Sequence, residues 1–381
     1  MRILHITPAY YPATFWGGPI FSVYALNNAL ASLPGVELKV LSTDSAGPQL
    51  TDCVKVKDSP GLYPGYEVNF CRRILGASVS LELLRKLVRL IRWAEIVHLT
   101  AIYSFPTLPT LILCRLFRKP LVWSPRGAIL DSWQWKGSRN PKIKRTWEWV
   151  CSLILLSGMV KFHVTSEYEC KASCDRFPQV DAVVVPNGVE VLSLFPHREW
   201  TPERQLRLLF IGRLSPKKGI ENLLHAMKLL VADKGIELVV CGTGDSHYCE
   251  SLIELASELD LLDKSVNFVG HVDGDDKRKA FLNADICVVP SYTESFCMVV
   301  AEALGHGVPV VTSHGTPWAE AEKRNCGLWV DNSPEELVKA IRFMRTQNLP
   351  LMGRQGWQWM RDEFGWDVVS RQMLAVYREM I

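Results

Sequence analysis

Short apolar runs alternate with stretches of helical period along the whole sequence, and the alternation starts over once near the middle. The first series places strands at Arg2–Ile6, Val36–Leu41, Glu95–Leu99, Pro120–Ser124, Lys161–Val164 and Asp181–Val185. Helical stretches at Ile20–Ser32, Leu81–Trp93 and Phe105–Phe117 lie between them. The second series places strands at Leu206–Ile211, Ile236–Cys241, Val266–Gly270, Asp285–Pro290 and Val308–Ser313, separated by helices at Ile220–Leu230, Tyr248–Leu259 and Asp275–Asn283. Ile220, Leu223, Leu224, Met227 and Leu230 follow one helix face. Strands joined through helices form parallel sheets covered on both faces. The reading is therefore an α/β chain of two doubly wound domains. Their joint is expected between Val191 and Pro202, where Pro196, Trp200 and Pro202 interrupt the pattern. Ligands of such sheets bind beyond the carboxyl ends of the strands.

Composition agrees and narrows the function. A chain of 381 residues suits two domains, and 48% hydrophobic with 22% charged residues is ordinary for a globular core. A formal charge of +3 is too small to predict nucleic acid as a partner. The 11 cysteines are scattered, and no His or Cys cluster joins Cys170 and Cys174 into a zinc site. That usage fits a reducing compartment. The apolar run at Met1–Ile6 is too short for a signal peptide, and nothing approaches the length of a membrane span, so the expected location is cytoplasmic. Lys136, Arg139, Lys142, Lys144 and Arg145 precede Trp147, Trp149 and the apolar Val150–Leu156. Such a segment is either a helix lying on the inner, anionic face of a membrane or a core helix with a solvated first turn.

The segment from Pro290 to Leu304 carries the most chemistry. A buried strand ends at Pro290, a loop carries Glu294, and a helix starts near Phe296. Backbone N–H groups at such a start form an anion site suited to a pyrophosphate. Glu302, two turns on, can reach back toward the same place, where acidic groups suit sugar and ribose hydroxyls. Asp273-Gly274-Asp275 offers an Asp-x-Asp pair, but a helix cap at Asp273 or Asp275 explains it more simply, and no metal cofactor is expected.

The spacing from Glu294 to Glu302 resembles the Glu-x7-Glu signature of the family 4 retaining glycosyltransferases, whose GT-B fold is built of two Rossmann-like domains facing a cleft. Further elements in order resemble the same family: Gly17-Gly18, Pro186-Asn187-Gly188-Val189, Phe210 to Leu214 with Lys217-Lys218-Gly219, Gly242-Thr243-Gly244, and Val269 to Val272. The resemblance implies an acceptor domain over residues 1–195, a nucleotide-sugar domain over 203–365, and a last helix, 366–381, that returns to the first domain. It implies a diphosphate held by Arg213, Lys218, Gly18 and the helix start at Met298 and Val299. The donor sugar would meet Glu294, Phe296, Cys297 and Met298, and the nucleoside Glu302, Val272 and Gly244. His98, at the end of its strand, resembles a family histidine that contacts the donor sugar, with a structural histidine as the alternative. Glu294 and His98 are thus the expected catalytic pair. Arg126 and Glu167 are the acceptor candidates, Glu167 being equally well a helix cap. Two departures stand out. Arg126 replaces the histidine of the family's His-Gly, and Cys297 replaces a glycine.

The reaction this implies is metal-independent transfer of a hexose with retention, UDP-glucose being the first donor and GDP-mannose the second, to a glycan or lipid-linked acceptor. A sugar-nucleotide epimerase of the same fold and a non-enzymatic sugar-binding protein remain alternatives. A nicotinamide dehydrogenase is disfavoured because Gly242-Thr243-Gly244 lacks the third glycine of the dinucleotide fingerprint.

Overall fold

The computed structural model describes residues 1–55, 61–130, 141–155, 158–197, 200 and 205–381. Lys136 and Arg139 of the basic segment, Leu156 at its end and Pro202 of the expected joint lie outside the described residues. The chain divides into two compact units, each with its own parallel sheet.

In the first unit the strands are β1 (Arg2–Thr7), β2 (Glu37–Thr43), β3 (Glu67–Cys71), β4 (Ile96–Thr100), β5 (Leu121–Ser124), β6 (Val160–Val164) and β7 (Asp181–Val184). They pair in the order β3-β2-β1-β4-β5-β6-β7, every pair parallel. β4 and β5 are buried at every position, which is why they read as continuous apolar runs rather than as alternation. β3 escaped the sequence reading because this edge strand, with Glu67 and Asn69, is only partly buried. Leu83, Leu87, Leu90 and Ile91 form the buried stripe of the helix Leu81–Trp93, and the Ser80 hydroxyl accepts from the Leu83 N–H at 3.2 Å to cap it.

The second unit carries β8 (Leu206–Ile211), β9 (Ile236–Cys241), β10 (Val266–Gly270), β11 (Ile286–Val289), β12 (Val310–Ser313) and β13 (Gly327–Val330), ordered β10-β9-β8-β11-β12-β13. This is the doubly wound order in which the crossover direction reverses beside the first strand, between β8 and β11. β13 and the helices Pro334–Arg345 and Leu349–Trp359 were not anticipated; the last two contribute Leu337, Ile341, Met344 and Leu349 to the core.

The units change over at Gly188 and Val189, earlier than the proline-interrupted stretch. The reason is local. Val189 is already 2% exposed in the second core, and its N–H donates to the Phe364 carbonyl at 2.7 Å. The last helix, Trp366–Met380, belongs to the first unit, where Val369, Met373, Val376 and Tyr377 pack with Ile3, Leu26 and Leu30. Gly188 and Trp366 therefore meet where the chain leaves and rejoins that unit. A Cβ at Gly188 would clash with the nearest Trp366 ring carbons, whereas at Gly18 it would meet nothing within 4 Å. Gly188→Ala should cost about 1–3 kcal/mol through overpacking, and Gly18→Ala well under 1 kcal/mol; urea unfolding of the two variants measures the difference.

Candidate active site

The loops at the carboxyl end of the second sheet touch backbone to backbone. Gly242 has φ 147, and a Cβ there would collide with the Gly212 carbonyl; Gly219 sits at φ 64, and its Cβ would meet the Pro290 carbonyl. Only glycine permits these approaches. They are sealed by bonds from Gly212 N–H to the Cys241 carbonyl (3.0 Å), Leu214 N–H to the Thr243 carbonyl (2.9 Å) and Tyr292 N–H to the Lys217 carbonyl (2.8 Å). Glu294 is anchored in turn by its N–H on the Gly315 carbonyl at 2.8 Å.

This framework brings Lys218 and Glu294 together. The Lys218 ammonium donates to Glu294 Oε1 at 2.5 Å, with the side chains only 15% and 11% exposed. Burial alone would push the Glu294 carboxyl up, but Lys218, with Lys217 behind it, holds it below the usual carboxylate range. Burial likewise acts to lower Lys218, and Glu294 more than offsets it. Both groups stay charged at neutral pH. Cys297 begins the helix Met298–Gly305 in a left-handed conformation at φ 66, and burial pushes its thiol up to about 12. It is therefore a neutral side chain near Glu294 and Lys218. Met298 and Val299 open the helix, where N–H groups have no preceding turn to bond to.

Glu302 lies further along that helix and receives Lys277 Nζ at 2.6 Å. Val272 packs on the core of this unit, while Gly244 and Arg213 are exposed at the loop surface. Phe296 requires a correction as a sugar contact. Its side chain is 4% exposed, its ring lies 5.2 Å from that of Trp318, and its carbonyl accepts from Trp318 Nε1, so its apolar surface is spent in the core. The Asp-x-Asp segment also differs in detail: Asp273 occupies the N-cap of Gly274–Asn283 without a side-chain cap bond, and Asp275 and Asp276 lie in the first turn. Among the described residues no group of three or more His, Cys, Asp or Glu could hold a metal.

The remaining candidates belong to the first unit. His98 is not at a strand end but in the middle of β4, fully buried and stacked 4.2 Å from His5. Its bonding partners fix their own directions. His163 Nε2 lies 3.0 Å from the Val185 carbonyl, which can only accept, so its Nδ1 must accept from the Ser124 hydroxyl at 2.8 Å. Ser124 then accepts from His98 Nε2 at 2.7 Å, and His98 Nδ1 accepts from the Tyr377 hydroxyl at 2.6 Å. Both ring nitrogens of His98 are thus committed to holding strands β4 to β6 and the last helix together. The expectation that it touches the donor sugar is corrected to the structural alternative.

Glu167 is exposed in the first turn of the helix Glu167–Arg176. The acid the sequence reading missed is Glu169. It is fully buried and accepts from Gly127 N–H, Thr165 N–H (2.8 Å) and Thr165 Oγ1 (2.8 Å). Its signal was available: Ser166 and Glu169 have the spacing of a capping box, and the Ser166 hydroxyl accepts from the Glu169 N–H at 3.2 Å. Arg126 follows β5 at φ 54 and donates through Nη1 to Asn187 Oδ1 at 2.5 Å. Gly18 opens the helix Gly18–Ala31 after Gly17 at φ 79.

Comparison with known proteins shows the family of the chain. A sequence profile described as Glycosyltransferase Family 4 matches residues 16–191, and one described as Glycosyl transferases group 1 matches residues 196–352. The chain belongs to the family 4 glycosyltransferases. It is 27% identical over 243 residues to an uncharacterized glycosyltransferase of Methanocaldococcus jannaschii, covering 60% of each protein. Over 225 residues it is 32% identical to a D-inositol 3-phosphate glycosyltransferase of Corynebacterium efficiens, covering 54% of this chain and 52% of the relative. The matches thus span between half and three fifths of the relatives' length. Sucrose-phosphate synthase from Thermosynechococcus elongatus shares the fold over 100% of this chain and 99% of its own, with a TM-score of 0.74 at 20% identity. Anabaena HepE, solved with UDP-glucose, does so over 100% of both chains, at 0.71 and 17%. The glycosyltransferase therefore has the two-Rossmann GT-B fold.

The buried histidines give this glycosyltransferase a testable pH response. Burial lowers His5 and His163 to about 3 and His98 well below its usual value. The unfolded chain takes up these protons near pH ~6.5, the folded one only far below. Stability is therefore full above that range and falls as pH drops from about 6.5 toward 3, by up to about 1.4 kcal/mol per unit for each histidine. The midpoint of thermal unfolding should decline steadily between pH 7 and 5; a flat profile there contradicts the assignment.

Proposed function

We propose that this glycosyltransferase moves a hexose from a nucleotide sugar to a glycan or lipid-linked acceptor in polysaccharide or glycolipid synthesis, with retention and without a metal. The observation that carries the reading is the ion pair of Lys218 and Glu294 beside the helix start at Met298. Breaking a nucleotide-sugar bond builds negative charge on the departing diphosphate. Lys218, Arg213 and the helix-start N–H groups of Met298 and Val299 are a fixed positive set suited to that charge. Losing one such preorganised partner typically raises a barrier by ~3 kcal/mol. Lys218 has three donors, so it can hold Glu294 and still meet a phosphate oxygen. The charged Glu294 carboxylate accepts hydrogen bonds only, which suits sugar hydroxyls and a developing positive charge at the anomeric carbon. Glu302 would hold the ribose hydroxyls, with Lys277 keeping it in place.

UDP-glucose is the first donor to test, since HepE with this fold was solved with it. GDP-mannose is second, since a phosphatidyl-myo-inositol mannosyltransferase of Mycobacterium leprae is 36% identical over 138 residues. Peripheral membrane contact is supported by the helix Pro141–Ile154, where Ile143, Trp149 and Leu153 are 66%, 61% and 58% exposed next to Lys142 and Arg145. Among the described residues no helix is long and apolar enough to cross a membrane.

UDP-glucose should raise the unfolding midpoint by mass action, and both this shift and turnover should persist in EDTA. Loss of turnover in EDTA with recovery on adding manganese would sink the metal-free mechanism. Glu294→Ala should lose about a hundredfold or more in turnover with UDP affinity little changed, whereas Glu302→Ala should bind UDP about tenfold more weakly. Equal UDP affinity in the two variants would remove the ribose assignment.

A further inference from the structure

We propose that Arg126 is a receptor for an oxyanion in the first unit, and that the acceptor of this transferase is accordingly an acid bearing a carboxylate or a phosphate. The second statement rests on the transfer reading above; the first does not. Arg126 lies two residues beyond the end of β5, at the edge where doubly wound sheets bind ligands. Its guanidinium is only partly used. Nη1 donates to Asn187 Oδ1 at 2.5 Å, while Nε and Nη2 are buried with no hydrogen-bond partner among the described residues.

These two unused donors are not scattered. Nε–H and Nη2–H lie along one edge of the planar guanidinium and form the fork that matches two oxygens of a carboxylate or phosphate. A buried charged donor left unpaired is costly, so an orphaned fork points to a group that is absent until a ligand arrives. Among the described residues the surroundings give it no internal partner. Glu169 is the nearby acid, but its oxygens are taken by Gly127 N–H and by the N–H and hydroxyl of Thr165, so it balances the charge without filling the fork. The other polar neighbours are neutral: His5, His98 and His163 are deprotonated by burial, with the positive charge of Arg126 adding to the effect, and Tyr377 keeps its proton.

A carboxylate or phosphate sets two charged oxygens against the two arms, a shorter and roughly twice as strong pairing as a neutral sugar hydroxyl makes. In the proposed transfer the diphosphate of the donor belongs to Arg213 and Lys218 of the second unit. An oxyanion held in the first unit is then a group on the other substrate. Phosphate and uronic carboxylate share this two-oxygen chemistry, and the backbone at φ 54 followed by Gly127 at φ 77 fixes where it is presented.

The test uses the full chain labelled with ¹⁵N at arginine Nε, the Arg126 resonance being identified by its loss in Arg126→Lys. Inorganic phosphate, glucuronate and UDP are titrated separately. The expected result is a saturable shift of the Arg126 Nε–H resonance with phosphate or glucuronate, telling the two sources apart, and none with UDP. The same shift should survive in Lys218→Ala, where donor binding fails, so a failure of the donor site is distinguishable from a failure here. Arg126→Lys keeps the charge without the fork and should weaken oxyanion affinity at least tenfold, while its unfolding midpoint without ligand reports whether it folds. A resonance that moves with neither anion overturns the receptor, and one that moves with UDP reassigns Arg126 to the donor and overturns the acidic acceptor.

Discussion

The first unit depends on one constraint: a polar group inside a two-sided parallel sheet must find a partner there, because water cannot reach it. Its centre is a line of hydrogen bonds rather than pure hydrocarbon. From Tyr377 through His98, Ser124 and His163 to the Val185 carbonyl, each donor meets one acceptor in a single consistent direction. The line crosses β4, β5 and β6 and is capped by the last helix. His5 adds a parallel branch, accepting from Thr100 at 2.8 Å and donating to Asn27 at 2.7 Å. Apolar packing between Ile3, Val369, Met373 and their neighbours supplies the bulk of the attraction, but it has no direction. The hydrogen-bond line supplies register, since a helix shifted by one turn would strand both Tyr377 and His98.

The second unit solves a different problem with glycine. An anion site needs several loops close enough for their N–H groups and cations to converge, and side chains at the contact points forbid that. Gly242 and Gly219 let neighbouring loops touch by backbone, and Tyr292 N–H and Glu294 N–H then tie the β11 loop to those on either side. The ion pair of Lys218 and Glu294 follows from this geometry. Two charges that are mostly buried stabilise a fold only weakly, and a well-packed apolar pair would serve stability as well or better. Their persistence is better explained by a ligand that uses them.

Much of this was legible in the residues. Strands buried on both faces announce themselves as apolar runs, and β8, β9 and β10 fall where Leu206–Ile211, Ile236–Cys241 and Val266–Gly270 were read. The spacing of Glu294 and Glu302 pointed to the strand, loop and helix that carry the ion pair of Lys218 and Glu294. The same property that reveals a buried strand hides its details. β4 is buried at all five positions, so periodicity could not say whether His98 faced a ligand or a neighbouring strand. β3 was missed because partial burial leaves no continuous apolar run, and β13 because its apolar run Gly327–Val330 is only four residues long. Phe296 was misplaced for a related reason: the helix starts two residues later than the sequence suggested, so Phe296 turns inward toward Trp318 and Phe364.

Residue type alone therefore separates these groups poorly, whereas the bonding capacity left over after folding separates them well. His98 looks like a catalytic residue in sequence, yet the fold engages both of its ring nitrogens, as it does those of His163 and both carboxylate oxygens of Glu169. Glu294 is bonded through one oxygen to Lys218, a cation with donors to spare. Arg126 keeps an entire fork without a partner among the described residues. Folding selects for satisfied groups at the scale of each buried atom, because each omission costs on the order of 1–3 kcal/mol against a total stability of about 5–15 kcal/mol. A charged fork that stays unpaired among the described residues under that pressure points to a partner that a ligand supplies. In this molecule that criterion removes a histidine chosen by its position along a strand. It retains an arginine that the sequence had offered only as an acceptor candidate.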